Sequence, residues 1–462
     1  MFEPSVYAGR RRALAASLAA RGVKDGLVLF IGNRESPMNY ADNAYRFRQD
    51  SCFLYYFGAA EPGLAATLDL GSGRSVLYMD ESTIDDLVWT GPRPGPAEYR
   101  DLCGADEAAA RGRFAADVRA SSGTPLFAPP YRSDTALELA GVLGKDPAAI
   151  AASASAALIQ AIVAQREIKE AREIAEIEKA VDTSIAMHRA VMAAARPGET
   201  EAGMMAEAYR QAYAGGGMPS FPAIATTKGA VLHNHGYPGR LADGGLFLLD
   251  CGAETVEGYA GDLTSTFPVG ARYDDRQAAV YGVVLSACEA AVAAMRPGTP
   301  YREAHFAAAR AVARGLEGLG ILRGDVDEAV AAGAHACFFP HGIGHQMGLD
   351  VHDMENLGEV WVGYDGQPKS LEFGLKSLRM AKPLKPGMVV TVEPGLYFIE
   401  GLIAAWKAER RHEAFIDYAE AERWVGFGGV RNEEDFLVTG SGAVRLGGAF
   451  DKSLAAMESY RA

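Results

Sequence analysis

The segment HGIGHQMGLDVHD, residues 341–353, places His341, His345 and His352 within thirteen positions of a 462-residue chain that has nine histidines in all. Its glycines disfavour a helix, so it reads as a loop that gathers imidazoles toward one place rather than along a helical face. Imidazoles so gathered serve as metal ligands, proton carriers or donors to a developing oxyanion. Carboxylates stand in three other, largely apolar segments. LFLLDCGAETVEGYAGDLTSTFPV, 246–269, reads as two strands joined by a glycine-containing turn, which would set Asp250 and Asp262 across a hairpin from one another. VVTVEPG, 389–395, is a β-branched run that ends at Glu393 before Pro394. GFGGVRNEEDFLVT, 426–439, reads as one further strand, with Arg431 and Glu433 on one face and Asn432 and Glu434 on the other. A carboxylate buried without a partner costs roughly several kcal/mol, so it takes up a proton or finds a cation. Asp250, Asp262, Glu393 and Glu433, with His345 as the single nitrogen donor, form an oxygen-rich set. That set suits two hard or borderline divalent ions, manganese above all, with cobalt, zinc or iron as alternatives, and four carboxylates offset their charge.

Elements must bring these segments together. The chain exceeds the size at which one core usually stops growing, so two domains are expected. Up to about residue 150, short apolar runs (LVLFIG, CFLYYFG, LAATLDL, SVLYMD) read as strands among helical and polar stretches, a small α/β domain. TGPRPGPAE, 90–98, reads as a surface loop within it. REIKEAREIAEIEKAVDTSIAMHRAVM then shows a helical period at Ile174, Ile177, Val181, Ile185 and Met192, with Lys169–Glu173 and Arg172–Glu176 charge pairs on an outer face. This helix opens a second domain, so the expected division is 1–160 and 161–462. Within that domain, MAAARPGETEAGMMAEAYRQAY at 192–213 and AAMRPGTPYREAHFAAARAVA at 293–313 echo one another. Either Pro-Gly breaks two unrelated alanine-rich helices, or a helix-plus-sheet unit is duplicated around a cleft.

Composition excludes other classes. A formal charge of −14 works against a nucleic-acid backbone as partner, and it disfavours acidic small molecules unless a local basic pocket overrules it. Five scattered cysteines without CxxC spacing predict reduced thiols. The N-terminal stretch lacks an apolar signal-peptide core, and no run is expected to span a bilayer, so a cytoplasmic protein with no membrane partner is predicted.

The HGIGHQMGLDVHD loop, the DCGAE…GYAGDLTSTFPV hairpin, TVEPGLYF and GGVRNEEDFLVT together resemble the Xaa-Pro aminopeptidases (aminopeptidase P) and Xaa-Pro dipeptidases (prolidases). YRFRQDSCFLYYFGAAEPG, 45–63, is similar to the N-terminal domain of that family, so the resemblance covers nearly the whole chain. It implies an α+β protein: an N-terminal α/β domain of the creatinase/aminopeptidase P type followed by a pita-bread catalytic domain related to methionine aminopeptidase. It implies that Asp250, Asp262, His345, Glu393 and Glu433 hold two divalent metal ions, Asp262 and Glu433 bridging them. By motif, His233 in GAVLHNHG matches a substrate-side histidine, His352 one near the scissile carbonyl, His341 a neighbour in the same loop, and Arg431 an arginine beside a metal ligand. His235 lies close enough to reach the same site, whereas His188, His305 and His412 are given no role. Two departures stand out: one extra residue between Asp250 and Asp262, and Asn432 in a place where an apolar residue is expected.

The reaction implied is hydrolysis of the bond before a proline in second position, with Glu393 carrying a proton from water toward the departing nitrogen and His352 and His233 orienting the substrate. Proline has no N–H, so a site that grips the ring loses nothing that other peptidases require. Arg379, in GLKSLRMAKPLKPGM, resembles the prolidase arginine that receives a dipeptide carboxylate, or it is a solvated loop cation. The segments DVHDMENLGEVWVGYDG and 399–429 resemble bacterial proteins grouped with aminopeptidase P, so an aminopeptidase is expected, with dipeptidase as the alternative. An inactive pita-bread binding module, or a metal-free relative such as creatinase, would lack the carboxylate set that is present here. The family habit also implies a homo-oligomer, dimer or tetramer.

Overall fold

A computed structural model describes residues 1–461. The chain divides into two compact units, Met1–Arg166 with Glu355–Trp361, and Glu167–Met354 with Val362 onward. The expected cut near 160 falls inside the helix Ala156–Arg166, which belongs whole to the first unit, and the short excursion at 355–361 is invisible in a linear reading.

The first unit is built on a mixed sheet in the order β4-β3-β2-β1-β5, from β1 (Leu27–Ile31), β2 (Ala65–Asp69), β3 (Ser75–Tyr78), β4 (Glu107–Ala109) and β5 (Pro125–Leu126). Leu27, Leu29, Tyr78, Phe114 and Phe127 form its core. One expected strand is a helix: CFLYYF lies in Ser51–Phe57. A continuous apolar run has no period, and its ends decided the outcome. The Asp50 side chain accepts the Phe53 amide, and Gly58, at φ 72°, closes the C-terminus in the left-handed region.

The second unit repeats an order of elements. The helices Ala171–Ala194 and Glu201–Ala214 precede β6 (Met218–Pro219), β7 (Ile224–Thr226), β8 (Leu246–Cys251), β9 (Ala253–Glu254) and β10 (Leu263–Pro268). The helices Asp275–Ala294 and Tyr301–Gly318 precede β11 (Val389–Val392), β12 (Gly395–Tyr397), β13 (Gly429–Arg431), β14 (Glu434–Val438) and β15 (Ala443–Arg445). Each half contributes a three-stranded sheet, β10-β8-β7 and β11-β14-β15. The two RPG turns are tied alike: Gly198 donates to Leu241 O and Gly298 to Leu384 O, both at 2.8 Å. Leu241 and Leu384 each stand five residues before the first residue of β8 and β11. The equivalence of these ties supports duplication over coincidental helix breaking.

The helix Ala171–Ala194 buries Ile177, Val181, Ile185 and Met192 of the predicted period, with Val191 beside them, and leaves Ile174 half-buried. The outer charge pairs differ from expectation. Lys169 lies before the helix, is buried, and donates to Asp353 Oδ2 at 2.7 Å; Arg172 pairs with Glu170 and Glu176 with Lys179. The helix Asp275–Ala294 corrects a further expectation, since it is long and apolar enough to cross a membrane by length and composition. Val280, Tyr281, Val284, Ala287 and Ala291 are fully buried along it. All five cysteines are free, four of them buried and Cys288 partly so.

Candidate metal centre

The hairpin that carries the first two acids is offset from the simple expectation. In the β8–β10 ladder Asp250 faces Thr264, and Asp262 stands one residue before β10, diagonal to Asp250 rather than opposite it. Between them the hairpin keeps this register, Gly261 N donating to Ala253 O and Thr255 N to Tyr259 O, both at 2.9 Å, and closes in a tight turn at 255–259. The hairpin's last glycine, Gly261, packs so closely on the helix Ala171–Ala194 that a Cβ would meet the Ser184 Oγ at 2.9 Å.

The expected single strand at 426–439 is two strands in different sheets. β13 pairs with β12 and β14 with β11; the chain changes partner at Asn432–Glu433. There Glu433 donates its amide to Thr264 O at 3.0 Å, which fixes it beside the hairpin. Arg431 and Glu433 still face one side, and Asn432 turns into the core.

The histidine loop runs along β11: Thr391 N donates to His345 O at 3.0 Å and Glu393 N to Ile343 O at 2.8 Å. This approach requires Gly344, whose Cβ would lie 2.3 Å from Thr391 O. The loop glycines therefore permit contact with the strand that ends at Glu393. Beyond the loop, the Lys169–Asp353 ion pair anchors the residue that follows His352.

These elements deliver all ten singled-out side chains to one cavity of about 780 Å³: His233, Asp250, Asp262, His341, His345, His352, Arg379, Glu393, Arg431 and Glu433. His235 lines it as well, with apolar walls that include Phe221, Leu232, Phe373, Ile399 and Leu402. Asp262, His345 and Glu433 each offer a ligand atom, all within 4.8 Å of one another. His345 Nε2 lies 3.4 Å from Asp262 Oδ2 and 4.0 Å from Glu393 Oε1. His345 Nδ1 faces its neighbour's carbonyl, Gln346 O, at 3.1 Å. A proton on Nδ1 satisfies that carbonyl and leaves the Nε2 lone pair aimed at the acids. His352 packs against His345 with ring centroids 4.1 Å apart.

Electrostatics follow from burial. Asp262 and Glu433 are pushed well above the ordinary carboxylate range by burial and then by neighbouring acids. Burial pushes Glu393 up to about 7, with Arg431 opposing and Asp250 adding to the rise. His345 is held well below its ordinary value by burial and by His352, and His341 falls to about 3, chiefly by burial. Crowded acids that cling to protons beside an imidazole that refuses one make a site short of positive charge. The Asp262 Oδ1 atom is buried with no hydrogen-bond partner. A neutral nitrogen donor, clustered carboxylates and an orphan oxygen fit divalent cations.

Arg431 serves a different purpose. It bonds to Asp250 Oδ2, to Tyr397 OH at 2.9 Å and to Thr264 Oγ1 at 3.2 Å. Tyr397 OH also meets His341 Nε2 at 2.9 Å, and Thr264 Oγ1 donates to Glu433 Oε2 at 2.8 Å. Tyr397, Thr264 and Asp435, whose Oδ2 accepts the Asp262 amide at 3.0 Å, were not singled out from sequence. Tyr397 stands in TVEPGLYF, and the register that sets Gly395 against Arg431 is the signal that would have found it.

The fold and site are those of a metallopeptidase. Residues 175–440 match metallopeptidase family M24, and residues 7–123 match the aminopeptidase P N-terminal domain. Human Xaa-Pro dipeptidase is 32% identical over 436 residues, covering 90% of this chain and 85% of its own. A probable Xaa-Pro aminopeptidase of Aspergillus niger is 32% identical over 444 residues, covering 92% and 86%. Among solved structures, aminopeptidase PepP of Pseudomonas aeruginosa superposes with a TM-score of 0.82 at 28% identity, covering 100% of this chain and 98% of its own. The chain belongs to metallopeptidase family M24, with the two-domain α+β architecture of aminopeptidase P.

Proposed function

We propose that the protein is a dimetal Xaa-Pro peptidase of the manganese type, which hydrolyses the bond between an N-terminal residue and a following proline. The observation that carries this reading is the convergence of Asp262, His345 and Glu433, from three separate segments, in the cavity that also holds Asp250 and Glu393. When bound by these five residues, two divalent ions supply positive charge that polarises the scissile carbonyl and acidifies a water. Glu393 accepts the proton of the attacking water and passes it to the proline nitrogen as the bond breaks. His352 and His233 present ring nitrogens to the carbonyl oxygen as it gains charge. Arg431 holds Asp250 through a charge-assisted bond and, with Tyr397, fixes the His341 ring.

Aminopeptidase action on peptides longer than two residues is the first reading, because a cavity of about 780 Å³ lies toward the upper end of roughly 300–1,000 Å³ for ligand pockets. Dipeptidase action is the second, favoured by Arg379, which lines the same cavity and could receive a free carboxylate. The experiment is to offer an Xaa-Pro dipeptide and an Xaa-Pro-Xaa tripeptide to manganese-loaded native protein and to an Arg379→Met variant. Cleavage of the tripeptide, insensitive to Arg379→Met, is expected. Dipeptide cleavage alone, lost in the variant, would establish the second reading, and cleavage of neither would overturn both.

A further inference from the structure

We propose that Lys452 is a positioning residue for the metal centre: its amino group ties the strand beginning beside Asp262 to the segment bearing Glu433, and metal affinity depends on that tie. The inference rests on the ligand assignment above. Lys452 lies just before the C-terminal helix Leu454–Ser459 and is buried at 6% exposure. Its Nζ donates to Thr264 O at 2.8 Å and to Glu433 O at 2.5 Å. Thr264 O also accepts the Glu433 amide, and the Thr264 hydroxyl donates to Glu433 Oε2. Four hydrogen bonds thus meet at the Thr264–Glu433 bridge between these two chain segments, two of them from one ammonium. Lys452 is fixed in turn, since Tyr281 OH, on the helix Asp275–Ala294, donates to its carbonyl at 2.8 Å.

The choice of a lysine is telling. A buried ammonium costs free energy and usually faces a carboxylate, yet here it spends its hydrogen bonds on main-chain carbonyls. It therefore leaves the acids free for a cation while holding the backbone of one of them. By Coulomb's law alone, a positive charge behind a cation site weakens metal binding, so its removal would tighten binding. Removal of a tie that orients ligands has the opposite sign, and loss of such supporting contacts lowers metal affinity by about 10- to 100-fold.

The test is calorimetric titration of manganese into metal-free native protein, Lys452→Met and, as a control for loss of a buried lysine elsewhere, Lys382→Met. Lys382 is also buried and pairs with Glu167 at 2.5 Å. Affinity at least tenfold weaker in Lys452→Met and unchanged in Lys382→Met is expected, with circular dichroism showing both folded. Should Lys452→Met fail to fold, Lys452→Leu, which also removes the donor, is read against the same criterion. Unchanged or tighter binding, or equal weakening in the control, overturns the role of Lys452 while leaving the ligand assignment intact. Failure of the native chain to bind manganese overturns the assignment, and this inference with it.

Discussion

Glu201 offers the sharpest link between a buried contact and the reaction. It is the first residue of the helix Glu201–Ala214 and is 1% exposed. Its Oε1 accepts Thr227 N at 2.7 Å and Thr227 Oγ1 at 2.9 Å, and its Oε2 accepts Gly239 N at 2.8 Å. Thr227 and Gly239 bracket the loop that bears His233 and His235, so one carboxylate closes the loop at both ends. Gly239 comes so near that a Cβ there would meet the carboxylate at 2.5 Å. Glu201→Ala strands two amide donors, and each costs about 1–3 kcal/mol when left unsatisfied. If the loop stays closed, stability falls by about 2–6 kcal/mol; if it opens, water satisfies the amides and His233 loses its place. Loss of one oxyanion donor costs about 10²–10³ in kcat. We expect urea unfolding to show a stability loss of about 2–4 kcal/mol and peptidase assays to show kcat/KM at least tenfold lower. The decisive measurement is a double-mutant cycle, because Glu201→Ala acting through His233 adds little to His233→Ala. Additive losses, or native kcat/KM in a folded Glu201→Ala variant, would refute the reasoning.

Phe373 lines the cavity and is braced by Trp406, ring centroids 5.5 Å apart, and by Arg411, 5.9 Å from its ring. Phe373→Ala should raise KM about tenfold, or ~1.4 kcal/mol, for peptides with large apolar residues and change it little for glycine-rich ones; equal effects on both would contradict an apolar wall. His305 is fully buried with neither ring nitrogen hydrogen-bonded, and burial lowers its pKa to about 3. Below about pH 6.5 only the unfolded state takes up this proton, so the native form loses about 1.4 kcal/mol per pH unit down to its own pKa. Urea melts should therefore show His305→Leu gaining about 2 kcal/mol on native between pH 7.5 and 5.0; parallel pH dependence would exclude this.

The site was more legible than the fold that holds it. Ligand chemistry is local: an acid in an apolar run announces itself, and all ten residues singled out by type, spacing or motif resemblance line one cavity. Strand partners are not local. The division of 426–439 between two sheets depends on β11 and β12 being available as partners, which no property of GFGGVRNEEDFLVT encodes. CFLYYF became a helix because Asp50 and Gly58 cap it, a signal present in the sequence and outweighed by its apolar content. Lys169 looked like an outer-face charge, since its partner Asp353 lies 184 residues away. Asp435 and Lys452 act through hydrogen bonds to backbone and Thr264 through its hydroxyl on Glu433, and ordinary polar residues carry no mark of such service.

The central claim is that five side chains cage two cations and that hydrolysis depends on them. Elemental analysis of the manganese-loaded chain, set beside Glu433→Gln, tests it most directly. Two ions per native chain are expected, with fewer than two and no peptidase activity in the variant. Full activity in native protein stripped of every divalent ion would contradict the account.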